Sequence, residues 1–376
     1  MAAVPVPTLP ETEIFLRSPY WVTVEREDLN YVLCDLRIWT GDLTAQPDDV
    51  SIKIRSTGLN GITSIDIAEF ARDYVEVTFD GEADSNAVFI GYQLSIYGFN
   101  DSEDPTPETA VYLTGLDGYS TFQDGVNFQW YKQVMLSDSV VSAYPEESLS
   151  LPVLQKTLTG YTLQRYAAGY GGAFSTFRTV TGISPLNNTS SLVRQVVTSY
   201  SGQYADRVLF HFSDQADEKV NIEYTDCTKY GVTRIYFVNR LGCTQEMHFN
   251  GKFTVQMKAE KESYTRNLMV NGDYNNTRHQ KSILNKNGSI EMTINSGWKN
   301  EEENDSMIEL MMSEQVWIKV ESSKLGRGWT PKESSIWTIP VNISSDETVI
   351  KSRVNDKMIN YTFNFEAAHD WINTVR

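Results

Sequence analysis

Four acids stand almost side by side in KNEEENDSMIELMMSEQVWI, residues 299–318: Glu301, Glu302, Glu303 and Asp305. Carboxylates at this density could ligate a metal, form an acid–base pair, or open a helix. A Ca²⁺ loop needs oxygen ligands at fixed offsets and usually a Gly at its sharp turn. EEENDS has no such Gly and no distal bidentate Glu at the loop spacing. An acid–base pair needs two carboxyls driven apart in pKa by burial, which four adjacent exposed acids do not provide. The helix reading fits better. Asn304 or Asp305 can cap the free N–H groups of a first turn, and Met307, Leu310 and Met311 follow at i, i+3 and i+4. Glu301–Glu303 then lie where the positive end of the helix dipole favours negative charge. After Glu314, Val316, Ile318 and Val320 alternate, so a strand is expected next.

The remaining reactive side chains form no constellation. The four histidines, His211, His248, His279 and His369, have no i+4 partner, and His211 inside VLFHF reads as a hydrogen-bonded structural residue. There is no G-x-S-x-G elbow and no strand-then-helix G-x-G-x-x-G. GYGGAF (169–174) has no Lys-Ser/Thr after it and reads as a connection between strands. Cys34, Cys227 and Cys243 are an odd number without metal-site spacing, expected as reduced thiols. Carboxylate pairs for glycoside hydrolysis are distant in sequence and carry no motif, so an acidic β protein always offers candidates. Trp39, Trp329 and Trp337, in or near loops and strand ends, are either a sugar-stacking platform or core and interface aromatics. The sequons at Asn188, Asn276, Asn287, Asn342 and Asn360 read as by-products of an Asn/Ser/Thr-rich composition. On these grounds no catalytic, cofactor-binding or metal residue is assigned, and an enzyme is not expected.

The elements around these residues read as short strands. YWVTVE, YVLCDLRIW, VSIKI (with Val50, Ile52 and Ile54 at period two), AVFIGYQLSIYGF and VTRIYFVNRLG are rich in β-branched and aromatic residues. Within SIDIAEFARDYVEV, Ile67, Phe70, Ala71 and Tyr74 have helical spacing, with a capping box expected from Asp66 and Glu69. Hairpin turns are expected at Asn250–Gly251 and Asn355–Asp356. The expected fold class is mainly β, two or three β-sandwich-type modules with two short helices. Its parts would be an extended Pro-rich arm (1–12, with Pro5, Pro7 and Pro10), an acidic β-sandwich with one helix (13–150), a β domain (151–262) and a C-terminal β domain with a helix near 305–313.

At 376 residues the chain suits two or three cores. Its net charge of −17 is uneven: residues 1–155 hold 25 Asp and Glu against 7 Lys and Arg, while the remainder is close to neutral. That argues against specific nucleic-acid binding through the N-terminal part. The acidity either keeps an unassembled subunit soluble or lines a channel from which DNA must not stick. No apolar run suggests a membrane span, and MAAVPVPTLPETEIF lacks the pattern of a secretory signal, so synthesis in a cytoplasm is expected.

IDIAEFARDYVEVTFDG (65–81), LDGYSTFQDGVN (116–127), TRIYFVNRLGCTQEMHF (233–249), residues 278–318 and VNDKMINYTFNFEAAHDWINTVR (354–376) occur in one order across most of the chain. Together they resemble β-rich virion proteins of tailed bacteriophages; residues 151–232 carry no motif of that family. The resemblance implies a structural component of tail, baseplate or neck, with no catalytic residues to carry over. The expected function is a non-enzymatic subunit that forms a symmetric homo-oligomer with other virion proteins as partners, and a receptor- or carbohydrate-binding tail protein is the alternative.

Overall fold

The computed structural model describes residues 12–47, 51–75, 77, 79, 87–99, 107–145, 147–167, 173–183, 193–225, 229–321, 336–345 and 358–372. The Pro-rich arm before Thr12, the Asn355–Asp356 turn, Cys227, Trp329, Asn188, Val50 and Gly169–Gly172 lie outside them. The protein is mainly β, with 57% of the described residues in strands and 7% helical, and its several sheets and two short helices are consistent with β-sandwich-type modules. It divides into two compact units. One comprises Met1–Thr225, Tyr236–Met247 and Asp305–Ser313; the other comprises Asp226–Ile235, His248–Asn304 and Glu314–Arg376.

The first unit opens with β1 (Thr12–Phe15), β2 (Trp21–Glu25), β3 (Leu29–Trp39), β4 (Ile52–Thr57), β5 (Ile62–Asp66), α1 (Ala68–Ala71), β6 (Val88–Gly98) and β7 (Val111–Leu116). Its sheet has the order β1-β7-β6-β3-β4, and β2 pairs separately with β5. Because side chains alternate across a sheet, neighbours in sequence feed two cores. Ile14, Leu16, Ile38, Val88, Ile90 and Leu113 join one cluster with Val32, Leu36 and Ile65. Phe15, Trp39, Phe89 and Leu116 join another with Met135, Leu154, Leu241 and Cys243. This is why AVFIGY reads as a continuous apolar run: both faces of that stretch are covered.

The helical spacing in 65–74 is realised as α1 followed by one 3-10 turn, Arg72–Tyr74, with Ile67, Ala68 and Ala71 buried. The expected Asp66–Glu69 capping box is absent, since Ile67 holds the cap position without a side-chain bond. Asp66 instead accepts from Ala68 N and from Tyr20 N, both at 3.0 Å, so its carboxylate ties the helix start to the segment before β2. A capping box does form at Thr121–Asp124, around the 3-10 turn Phe122–Asp124.

The rest of the unit carries β8 (Val140–Ala143), β9 (Ser150–Leu154), β10 (Leu158–Ala167), β11 (Ala173–Thr181), β12 (Val193–Val197), β13 (Ser199–Tyr200), β14 (Gln203–Tyr204), β15 (Arg207–Phe212) and β16 (Glu218–Tyr224). The order β11-β10-β15-β16-β8 makes a second five-stranded sheet, with β12-β9 and β13-β14 as two-stranded pairs. Its core gathers Val141, Leu151, Val153, Leu163, Val196, Val208, Phe210 and Val220.

Strands β17 (Thr233–Val238) and β18 (Thr244–Phe249) are neighbours whose tip, Tyr236–Met247, belongs to the first unit. The second unit contains β19 (Phe253–Thr265), β20 (Lys281–Asn300), β21 (Val316–Glu321), β22 (Ile336–Ile343) and β23 (Met358–Ala367), in the order β21-β22-β23-β20-β19. Helix α2 (Asn304–Met312) interrupts this run of strands, as expected. Val316, Ile318 and Val320 alternate inward on β21, as do Ile359, Tyr361, Phe363 and Phe365 on β23. Phe249 and Phe363 stack with centroids 6.0 Å apart.

The turn expected at Asn250–Gly251 does not form, because β18 and β19 are not paired to one another. Asn250 N and Gly251 N donate instead to Ser296 O and Asn295 O of β20. Two other Asn-Gly pairs, both with positive φ, make the tight turns: Asn60–Gly61 between Leu59 and Ile62, and Asn271–Gly272 between Val270 and Asp273.

Candidate functional site

The acidic stretch is a helix front, but its acids are not all exposed. Glu301–Glu303 form a 3-10 turn capped by Asn300, whose side chain accepts from Glu302 N at 3.4 Å; the cap therefore sits earlier than Asn304 or Asp305. Glu303 is buried, as is Lys299, and Lys299 Nζ lies 3.6 Å from Glu303 Oε2. Burial pulls the Lys299 pKa down and the Glu303 carboxylate partly offsets this. Met307 and Leu310 are fully buried, while Met311 is half-buried.

Within the first unit, residues 305–313 carry a second buried acid, Glu309. It accepts from the Ser137 hydroxyl and, at 3.3 Å, from Arg240 N. Burial pushes its pKa up to about 7, with the Asp138 carboxylate adding to the rise against the hydrogen bonds and the Arg240 charge. Asp138 accepts from Ser306 N at 2.9 Å. Gln245 donates to the Ser306 hydroxyl, and Asn239 donates to Gln245 Oε1 and to Met135 O. The Arg240 guanidinium reaches Asp124 Oδ2 at 3.2 Å. This network joins three distant parts of the sequence. Each bond involves groups that are costly to bury unpaired, so it works as a structural lock. Among the described residues no group of three or more His, Cys, Asp or Glu is placed to hold a metal.

His211 is hydrogen-bonded on both ring nitrogens, to Thr162 Oγ1 at 2.8 Å and Asp217 Oδ2 at 2.9 Å. His248 is buried and His279 exposed, and the described histidines stay apart in sequence and in bonding. Cys34 and Cys243 are buried cysteines, neither of them in a disulfide. Trp39 is no platform: it is 6% exposed, packs near Phe89 and Tyr112, and donates to Asp42 O. Trp337, on β22, lines a cavity of about 230 Å³ together with Ile290, Thr338, Ile339, His369, Asp370 and Trp371. Trp371 was not singled out in the sequence, because nothing local marks a residue beyond the last strand as part of a wall.

The surface feature that sequence reading missed is the β19–β20 ribbon. The strands pair from Phe253↔Ile294 to Thr265↔Lys281, and Arg266 N extends the ladder to Gln280 O. Beyond Met257 almost every side chain is exposed on both faces. Met257, Tyr264, Met269, Val270, Tyr274, Ile283 and Leu284 are all exposed, Leu284 to 72%. The signal was present in the sequence as the Asn271–Gly272 turn between two long polar-rich runs.

No helix among the described residues is long and apolar enough to cross a membrane. No protein-family model matches the chain, and no curated protein matches it. Among solved structures, a chain described as the crystal structure of CBD12 from CALX1.2 is similar at 12% identity, covering 54% of this chain and 79% of that one, with a TM-score of 0.17. A likeness at that score carries no argument about fold or function.

Proposed function

We propose that the chain is a non-enzymatic structural subunit of a tailed-phage virion, in tail, baseplate or neck, which assembles into a symmetric homo-oligomer beside other virion proteins. The observation that carries this reading is the exposed ribbon. A lone two-stranded hairpin is marginal in water, and from Met257 to Thr265 its first strand runs about 30 Å at ~3.3 Å per residue. Such an element, bare on both faces and carrying apolar side chains, suits a surface that a neighbouring subunit covers. Its charge also favours a second copy. Residues 257–288 hold six Lys and Arg against three Asp and Glu, while residues 1–155 hold 25 acids against 7 bases. A basic ribbon on one copy laid against acidic surface on the next is a heterologous contact, the kind that closes rings. The same acidity, facing inward, would also keep DNA from adhering to a channel wall.

Native mass spectrometry of the purified chain, with negative-stain images of the same sample, tests the reading. A closed oligomer that dissociates as salt is raised supports it. A chain that stays monomeric, alone and with its neighbouring virion proteins, overturns it.

A further inference from the structure

The root of the same ribbon has the chemistry of a ligand site, and because its polar side is lined by Glu260, Lys261, Glu262, Asn285 and Asn287 of the ribbon, a ligand held there and a neighbouring copy laid on that face exclude one another. The segment after β23 is strapped across β20: Trp371 N donates to Gly288 O at 2.7 Å, and Ile372 N to Asn287 Oδ1 at 3.3 Å. A Cβ at Gly288 would be in ordinary contact with Trp371 Cβ at 3.6 Å, and would crowd Met257 Cε (2.7 Å) and Lys258 O (3.2 Å) of β19 instead. The strap leaves a cavity on each side of Asp370. One, of about 230 Å³, is walled by Trp337, Trp371, Ile290 and Ile339, with His369 and Asp370 at its polar side. The other, of about 390 Å³, is lined by Glu260, Lys261, Glu262, Asn285, Asn287 and Glu366 as well as Asp370.

The two cavities have complementary characters. The Trp337 Nε1–H is buried and has no acceptor among the described residues, so what Trp337 presents to the cavity is ring carbon. Trp371 is 46% exposed, so part of its ring is open to a ligand. An apolar aromatic wall beside a rim of carboxylates and amides matches a pyranose, whose ring carries C–H groups on its face and hydroxyls around its edge. The carboxylates accept hydroxyl hydrogens, the amides both donate and accept, and the aromatic carbon takes the C–H face. Four carboxylates against one lysine in the polar cavity exclude a sialylated or phosphorylated sugar by like charge.

We propose that the paired cavities meeting at Asp370 bind a short neutral or amino-sugar oligosaccharide, one residue against Trp337 and Trp371 and the next among Asn285, Asn287 and Glu366.

The full-length protein, fluorescently labelled, would be applied to an array holding neutral, amino-sugar, sialylated and phosphorylated glycans. The strongest neutral or amino-sugar probe would then be titrated by calorimetry against wild-type, Trp371→Ala, Asp370→Ala and Trp21→Ala. The expected result is saturable binding to neutral or amino-sugar glycans, weakened at least tenfold by Trp371→Ala and by Asp370→Ala. Trp21→Ala, an exposed tryptophan of the other unit, should leave it unchanged. Trp371 contributes its strap bond through the backbone, so the alanine variant keeps the strap, and a matched melting curve checks this. An array bound by no glycan, or by acidic glycans alone, overturns the proposal, as does binding indifferent to Trp371→Ala.

Discussion

Lys299 and Glu303 lie four residues apart at the end of β20, each side chain 3% exposed, with Nζ 3.6 Å from Oε2. A buried pair of this kind gains Coulomb energy but loses the hydration of two charges, and the balance sits near zero. Removing one partner is different, because it leaves an uncompensated charge inside. Lys299→Met and Glu303→Leu singly should each cost about 3–5 kcal/mol, whereas the double variant should come within about 1 kcal/mol of wild type. Urea unfolding of the four proteins measures the cycle. Additive losses in the double variant would show that the two residues act separately.

That pair also marks where sequence reading stops. The helix front in 299–318, the strand after Glu314 and both short helices were legible, since each rests on spacing within a few residues. Which of Glu301, Glu302 and Glu303 faces inward was not, because burial depends on strands that meet residues 299–303 from elsewhere in the chain. The Asn-Gly turns show the same limit. Four such dipeptides are present: Asn60–Gly61 and Asn271–Gly272 make turns, Asn287–Gly288 lies within β20, and Asn250–Gly251 fails because its backbone N–H groups are engaged by Asn295 and Ser296. For Trp39, at a strand end, the sequence left a sugar-stacking platform and a core aromatic both open, and only the covering of its sheet on both faces decides for the core. The network of Asp138, Asn239, Ser306 and Glu309 had no sequence signal, since the bonds that join its segments span 61 to 172 residues.

Glu309 should make stability depend on pH in the direction opposite to a surface carboxylate. Its folded pKa is about 7 against an ordinary 4.5, so the folded chain holds more protons than the unfolded chain between those values. Stability from this group is full below about pH 4.5, falls as pH rises through the window, and levels off above about 7. The swing is on the order of 3 kcal/mol at most. Besides Ser137, the groups facing it are Asp138, Arg240 and Tyr119. Glu309→Gln can still accept one of the two hydrogen bonds and carries no charge, so it should flatten this part of the profile and be the more stable protein near pH 8. Chemical denaturation across this range decides the matter; parallel profiles for the two proteins would remove Glu309 as the source.

Asn239 should be among the least replaceable residues of the β17–β18 tip. Its Oδ1 accepts from Leu241 N at 3.1 Å and Cys243 N at 3.0 Å, and its Nδ2 donates to Met135 O and Gln245 Oε1. Asn239→Ala removes four buried side-chain bonds at once, two to N–H groups and two to oxygens, a loss of about 3 kcal/mol or more at ~1–3 per group that loses its bond. Asn239→Asp keeps the accepted bonds but sets an oxygen against the Met135 carbonyl and buries a charge, so it should be at least as damaging. Denaturation midpoints of both variants check the order; an aspartate variant as stable as wild type would show that the donated bonds are unimportant.

The ribbon separates assembly from folding. Ile283 and Leu284 are exposed on β20, 53% and 72%, outside the part of that strand where Ile290, Met292 and Ile294 enter the core. Ile283→Asp with Leu284→Asp therefore removes no core contact, and surface changes of this kind usually move stability by less than about 0.5 kcal/mol. If a neighbouring copy covers the ribbon, the same pair of changes places two charges in an apolar contact, and the oligomer should fall apart at concentrations where wild type is fully assembled. Reversing charge at Lys281 and Lys286, to Glu, should weaken assembly through the acidic partner surface and blunt its salt dependence. Analytical ultracentrifugation beside a melting curve reads both effects. An unchanged oligomer in both variants, with an unchanged melting curve, would mean that the contacts lie on another face; a lowered melting temperature with assembly intact would assign the ribbon to folding.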